Sequence, residues 1–136
     1  MELMKSIMIA ASALRAQSGR MRIIAENLAN ADSVSTTPGG KPYQRRISTF
    51  QVEFDRAIGA QVVRTGKPIL DKTEFPLRYM PGHPGADAKG YVKAPNVNGL
   101  VEAMDMRNAQ RSYEANLNVI TSARRMVQRT LDILRA

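Results

Sequence analysis

The sequence predicts a mainly α-helical protein with a small β insertion, in which long N- and C-terminal helices pair as a coiled coil and a short β-rich middle unit is inserted between them in the chain. Three observations predict it. Residues 98–136 contain no proline and carry an apolar stripe at alternating spacings of three and four. Residues 4–28 repeat that spacing. All seven prolines, and seven of the nine glycines, fall between the two stretches, where long regular helices are excluded. The chain therefore divides into residues 1–31, 32–97 and 98–136, the first and last forming one helical unit.

In the first segment Met4, Ile7, Ala11, Leu14, Ser18, Met21, Ala25 and Leu28 share one helical face, and the pattern runs out at Asn30. Glu2 lies where a helix N-terminus favours negative charge, and Arg15, Arg20, Arg22 and Glu26 fall off the stripe. Lys5 and the apolar run that follows imitate a secretory signal. Arg15 cuts that run short and the helical pattern continues past it, so the segment is expected to remain as a helix and not to be cleaved.

The middle segment opens with a turn-rich connector from Asp32 to Pro42. Phe50, Val52 and Phe54 then alternate with polar residues, as do Phe75, Leu77 and Tyr79, while Gln61–Arg64 and Tyr91–Lys93 read as further short strands. Pro95, Asn96, Val97 and Asn98 are expected to set the angle between this unit and the helix pair. Asn98 is the candidate N-cap, with Glu102 in the first turn.

The last segment places Met106, Ala109, Tyr113, Asn116, Ile120, Ala123, Val127, Thr130 and Leu134 on one stripe, widened by Leu117 and Leu131. A helix over most of it spans roughly 55 Å at 1.5 Å per residue. It needs a partner, and the N-terminal stripe is the economical one. Asn116 either fixes register inside the seam or faces out and leaves Leu117 to carry the stripe. Arg111–Glu114, Arg129–Asp132 and Asp132–Arg135 read as ordinary helix-surface pairs.

Chemistry is sparse. The formal net charge of +8 suggests a basic helical nucleic-acid- or anion-binding protein as an alternative. The charge is spread, however: residues 1–31 hold four Lys/Arg and two Asp/Glu, residues 32–97 ten and six, and residues 98–136 six and four. No segment is a basic block, so no nucleic-acid partner is expected. Direct lipid anchoring is not expected either, since the N-terminal helix lacks a bulky aromatic anchor. Cysteine is absent and His83 is the single histidine, which leaves no thiol ligand and no metal set. Neither Gly-rich phosphate motif occurs, and the Asp and Glu residues read as scattered, without a convergent partner. No catalytic residue, cofactor or metal is expected.

Two groups of residues carry a resemblance. Asn27-Leu28-Ala29-Asn30-Ala31-Asp32, followed by Gly39-Gly40-Lys41-Pro42-Tyr43-Gln44-Arg45-Arg46, resembles the N-terminal signature of the bacterial flagellar rod, hook and hook-associated proteins. Pro81–Ala88, Gly90-Tyr91-Val92, Pro95-Asn96-Val97-Asn98 and Arg111-Ser112-Tyr113-Glu114-Ala115-Asn116 are similar to the short rod proteins of that family. The chain departs from the commoner pattern in its Gly-Gly-Lys-Pro-Tyr turn and in Glu102-Ala103-Met104-Asp105-Met106. The resemblance implies a structural subunit of the basal-body rod, exported by the flagellar type III apparatus and assembled across the periplasm. It implies terminal helices packed around the export channel, a small outer unit, and contacts with other rod subunits and with ring or export-gate proteins. It also implies that the seam residues above meet neighbouring subunits and that torque passes through them.

Overall fold

The computed structural model describes residues 2–136 as two long helices, α1 (Glu2–Ala29) and α2 (Gly99–Arg135), with six short strands between them. The helices form where proline is absent. They stop where local hydrogen bonds replace the helical ladder. At the end of α1, the Asn30 side chain donates to Glu26 O at 2.8 Å and accepts the Ser33 hydroxyl at 3.1 Å, turning the chain into the connector. At the start of α2, Asn98 Oδ1 accepts the Leu100 and Val101 amides at 3.0 and 3.3 Å, satisfying donors that the first turn would leave unpaired.

The strands make three separate antiparallel pairs rather than one sheet. β1 (Arg46–Ile47) pairs with β4 (Ile69–Leu70), β2 (Phe50–Asp55) with β3 (Ala60–Thr65), and β5 (Leu77–Tyr79) with β6 (Tyr91–Lys93). The β2–β3 turn is built by Asp55, whose carboxylate accepts the Ala57 amide at 2.9 Å, and by Gly59 in the left-handed region at φ 66°. His83 belongs to the loop between β5 and β6, where its Nδ1 accepts the Gly85 amide at 3.0 Å.

The chain folds into two compact units. One holds the chain as far as Met21, Thr49–Lys67 and Arg107–Ala136; the other holds Arg22–Ser48 and Pro68–Met106. Each unit therefore joins opposite ends of the two helices, the antiparallel sense. The middle segment is shared between them: the β2–β3 hairpin folds with the outer ends of the helices, and the other two ladders fold with the inner ends.

In the first unit, Ala10, Ser12, Ala16, Val62, Ala109 and Ala123 are buried. Ser12 ties helix to hairpin: its hydroxyl donates to Ile9 O at 2.7 Å and accepts the Val63 amide at 3.2 Å. Gly19 lies against the Thr65 side chain, so close that an added Cβ would stand 3.2 Å from Thr65 Cγ2. In the second unit Ile23, Ile24, Asn27, Ser35, Pro42, Gly85, Val92, Ala94, Pro95 and Glu102 are buried, and Asn27, Ser35 and Glu102 among them are polar or charged.

Candidate assembly surfaces

The inner ends of the helices meet at a polar hub centred on Arg45. Its Nε bonds Glu102 Oε1, its Nη1 lies 3.3 Å from Asp71 Oδ2, and its Nη2 lies 3.6 Å from Asp105 Oδ2. This corrects the expectation that the carboxylates lack a convergent partner. They are dispersed along the chain, and the fold brings three of them onto one guanidinium because α2 and the segment after β4 both border the β1 approach. The sequence places Glu102 in the first turn of α2, beside the Asn98 cap, and gives it no partner. It is instead buried, and its second oxygen accepts from Asn27 Nδ2 at 3.2 Å.

Asn27 extends the hub. It donates to Arg46 O at 2.8 Å, and its Oδ1 accepts both the Arg46 amide at 3.0 Å and the Tyr43 hydroxyl at 2.8 Å. Asn96 closes the other side, accepting the Arg45 amide at 2.7 Å and donating to the carbonyls of Asp71 and Thr73, each at 3.1 Å. The expected hinge at Pro95–Asn98 is thus a pinned segment: Pro95 is fully buried, Asn96 holds three backbone partners, Val97 is half-buried and Asn98 caps α2.

The hub shifts its own titrations. Burial would loosen the Arg45 proton, but hydrogen bonding and attraction from Glu102, then Asp71, outweigh it and raise the pKa further. Burial raises the Tyr43 phenol, opposed by nearby Arg46. The Asp71 carboxyl is held below its ordinary value, chiefly by the Thr73 hydroxyl and amide and then by Arg45. These charges are satisfied by one another. The arrangement fixes geometry, and among the described residues no group of three or more His, Asp or Glu is set to hold a metal.

The predicted seam residues separate by helix. On α2 the stripe is the covered side. Ala109 and Ala123 are buried, and Met106, Tyr113, Asn116, Ile120 and Val127 are half-buried, while Leu117 and the last turns with Thr130, Leu131 and Leu134 are exposed. Asn116 bonds its own helix, donating to Ser112 O at 2.7 Å. On α1 the phase differs. Ile7, Ala11, Leu14 and Met21 are half-buried, whereas Met4, Ala25 and Leu28 are exposed and Asn30 lies beyond the helix. The buried residues Ser12, Ala16, Ile23 and Asn27 form another stripe, roughly half a turn away at 3.6 residues per turn. That face was missed because Ser and Asn read as polar surface; here their hydrogen bonds to the β2–β3 hairpin and to the hub make them core.

The α1 stripe meets α2 at its start, where Met4 and Ile7 border a groove with Arg124, Val127 and Gln128. Much apolar surface remains open beyond it. Met8 and Ile9 on α1, and Val119, Met126, Ile133 and Leu134 on α2, are exposed, as are Phe50, Val52 and Phe54 along one strand of the hairpin. The alternation in β2 therefore presents its apolar side chains to solvent. Exposed apolar area on this scale marks interaction surfaces.

Comparison with known proteins supplies the biological frame. Residues 7–35 match the family model described as flagella basal body rod protein, and residues 88–133 match the flagellar basal body rod FlgEFG protein C-terminal model. The chain is 49% identical over 128 residues to the flagellar basal-body rod protein FlgC of Agrobacterium fabrum, covering 94% of this chain and 92% of that one. It is 43% identical over 133 residues to the protein of that name in Escherichia coli, covering 98% of each. The Aquifex aeolicus counterpart is 34% identical over 132 residues, with 97% of each covered.

Proposed function

Because the chain belongs to the FlgC family of flagellar basal-body rod proteins, and is a structural subunit of the basal body, we propose that its two helices form one joint of the rod's inner tube. In this reading their uncovered apolar faces pack against neighbouring rod subunits, and the middle segment faces outward toward ring or export-gate proteins. The observation that carries it is apolar surface left open on more than one side of both helices, from Met4, Met8 and Ile9 on α1 to Leu131, Ile133 and Leu134 on α2. A helix pair that stopped at its own seam would hide these residues.

Torque then crosses the subunit through packed helices, and the Arg45 hub keeps the inner ends of α1 and α2 in fixed register while it does. The single chain lacks partners for its outer helix ends, so those ends gain order as the rod supplies burial. Labelling purified basal bodies with antibody to this chain, and imaging a deletion strain, test the assignment. Label along the rod and arrest of rod growth in the deletion are expected. A complete rod and hook without the chain would refute it.

A further inference from the structure

β2 and β5 each have an open edge, and these two edges are complementary. Among the described residues β2 has β3 as its one ladder neighbour. The Val63 amide leaves that ladder to reach Ser12 Oγ, so Val52 and Val63 exchange no hydrogen bonds, and Phe50, Val52 and Phe54 turn their backbone groups to the open side. The bonds from Gly66 N to Thr49 O and from Gly59 N to Asp55 O set the same alternation. In the β5–β6 pair, bonds from Ala94 N to Pro76 O and from Met80 N to Gly90 O put the exchanging pairs at even-numbered β5 positions. Leu77 and Tyr79 therefore turn their backbone groups outward. The far side of β6 is already taken by the Ser35 and Asp87 amides, which donate to Lys93 O and Tyr91 O.

Both open edges are apolar. Val52 and Phe54 are 68% and 60% exposed, and Leu77 and Tyr79 are 61% and 65% exposed. Neither strand contains the lysine or proline that commonly blunts an edge against pairing. Their charges are opposite: Glu53 stands between Val52 and Phe54, and Arg78 between Leu77 and Tyr79.

We propose that β2 of one copy pairs antiparallel with β5 of the next, placing Val52 opposite Tyr79, Glu53 opposite Arg78 and Phe54 opposite Leu77. This register meets every constraint above. The two apolar pairs exchange backbone hydrogen bonds, and the charged pair sits at the intervening position where opposed Cα atoms come closest. In the single chain Glu53 is 2.6 Å from Arg64 and Arg78 is 2.8 Å from Asp32. These are solvent-exposed ion pairs of small worth, so sharing them across copies costs little. The contact joins two different surfaces, so each copy keeps a free edge for the next and the contact propagates head to tail, as a helical assembly requires. It rests on the rod-joint reading proposed above and adds that the neighbouring subunits include copies of this chain.

The absence of cysteine makes the register directly testable in basal bodies from cells lacking the native copy. Glu53→Cys and Arg78→Cys chains expressed together are expected to give an oxidised dimer that needs both variants, and the double variant a ladder of multimers. Gln51→Cys with Arg78→Cys should cross-link several-fold less. Charge reversal provides a second reading: Glu53→Arg and Arg78→Glu should each shrink swarming several-fold, and the combination should restore most of it. Basal bodies containing both cysteine variants but no dimer, cross-links from position 78 to a different protein, or a combined reversal no better than either single would overturn the pairing. Absence of the unsubstituted chain from basal bodies would overturn the rod-joint reading along with it.

Discussion

The Arg45 hub makes an asymmetric prediction, because its two central charges are not equally protected. Replacing Arg45 with alanine leaves the Glu102 carboxylate, whose side chain is 1% exposed, with Asn27 Nδ2 at 3.2 Å as its remaining donor among the described residues. An uncompensated buried charge of that kind costs about 3–5 kcal/mol. Replacing Glu102 with alanine leaves Arg45 beside Asp71 at 3.3 Å and Asp105 at 3.6 Å, with a side chain 19% exposed. The guanidinium keeps carboxylates and some water, so the loss is nearer ~1–3 kcal/mol. The double variant removes both charges and should cost less than the two single losses added, by about 1–3 kcal/mol. Urea unfolding followed by far-ultraviolet circular dichroism and by tyrosine fluorescence measures all three. Equal single losses below about 0.5 kcal/mol, or strict additivity, would show that the hub is not a coupled buried network.

Other consequences are simpler to check. Asn98→Ala should destabilise the chain by about 1 kcal/mol through loss of the α2 cap, seen as a lower urea midpoint, whereas Asn98→Ser should recover most of it. Gly90 has φ 83° and sits where a Cβ would stand 3.0 Å from Tyr79 Cε2; Gly90→Ala should therefore cost about 1–2 kcal/mol and disturb the Tyr79–Tyr91 ring contact reported by tyrosine fluorescence. Asp71 has a depressed pKa in the folded chain, so its contribution is complete above the ordinary carboxylate pKa of about 3.9 and fades as pH falls below it. An acid titration of stability should steepen below about pH 4, and Asp71→Asn should flatten that limb. Dilute monomer should show less helix than the 28 and 37 residues of α1 and α2 provide, with helix content rising on incorporation; full helix and concentration-independent melting would contradict order gained on assembly.

The fold class was legible because proline and glycine are segregated so sharply, and because the α2 stripe obeys one period from Met106 to Val127. The Asn98 cap was legible for the same reason: a polar residue at a change of grammar has few other uses. The hub was not. Arg45, Asp71 and Glu102 are far apart in sequence, and nothing in a charge pattern distinguishes a carboxylate that will be buried from one that will be solvated. The one available signal was that Asn27, Tyr43, Arg45, Arg46 and Asn96 sit within the stretches that carried the family resemblance. Their partners could be found only by folding. The strand alternation was legible as strand but not as orientation, since a period of two identifies a face without saying whether the chain itself covers it.

That ambiguity explains α1. A stripe of Met, Ile, Ala and Leu is read from sequence as the side that the chain buries, yet the most buried side of this helix carries Ser12, Ala16, Ile23 and Asn27. The hairpin and the hub take that face with small residues and directed hydrogen bonds, which need close approach more than apolar bulk. The larger side chains are left half-covered by α2 or open. For a solitary protein such an arrangement would sacrifice burial worth about 1.5–3 kcal/mol for each large side chain. On the rod-joint function proposed above, the same residues are surface available to neighbouring subunits. Hydrophobic periodicity in an assembling chain therefore records the sum of internal and external burial, and the two separate only when hydrogen-bonded polar residues reveal which face the chain has already used.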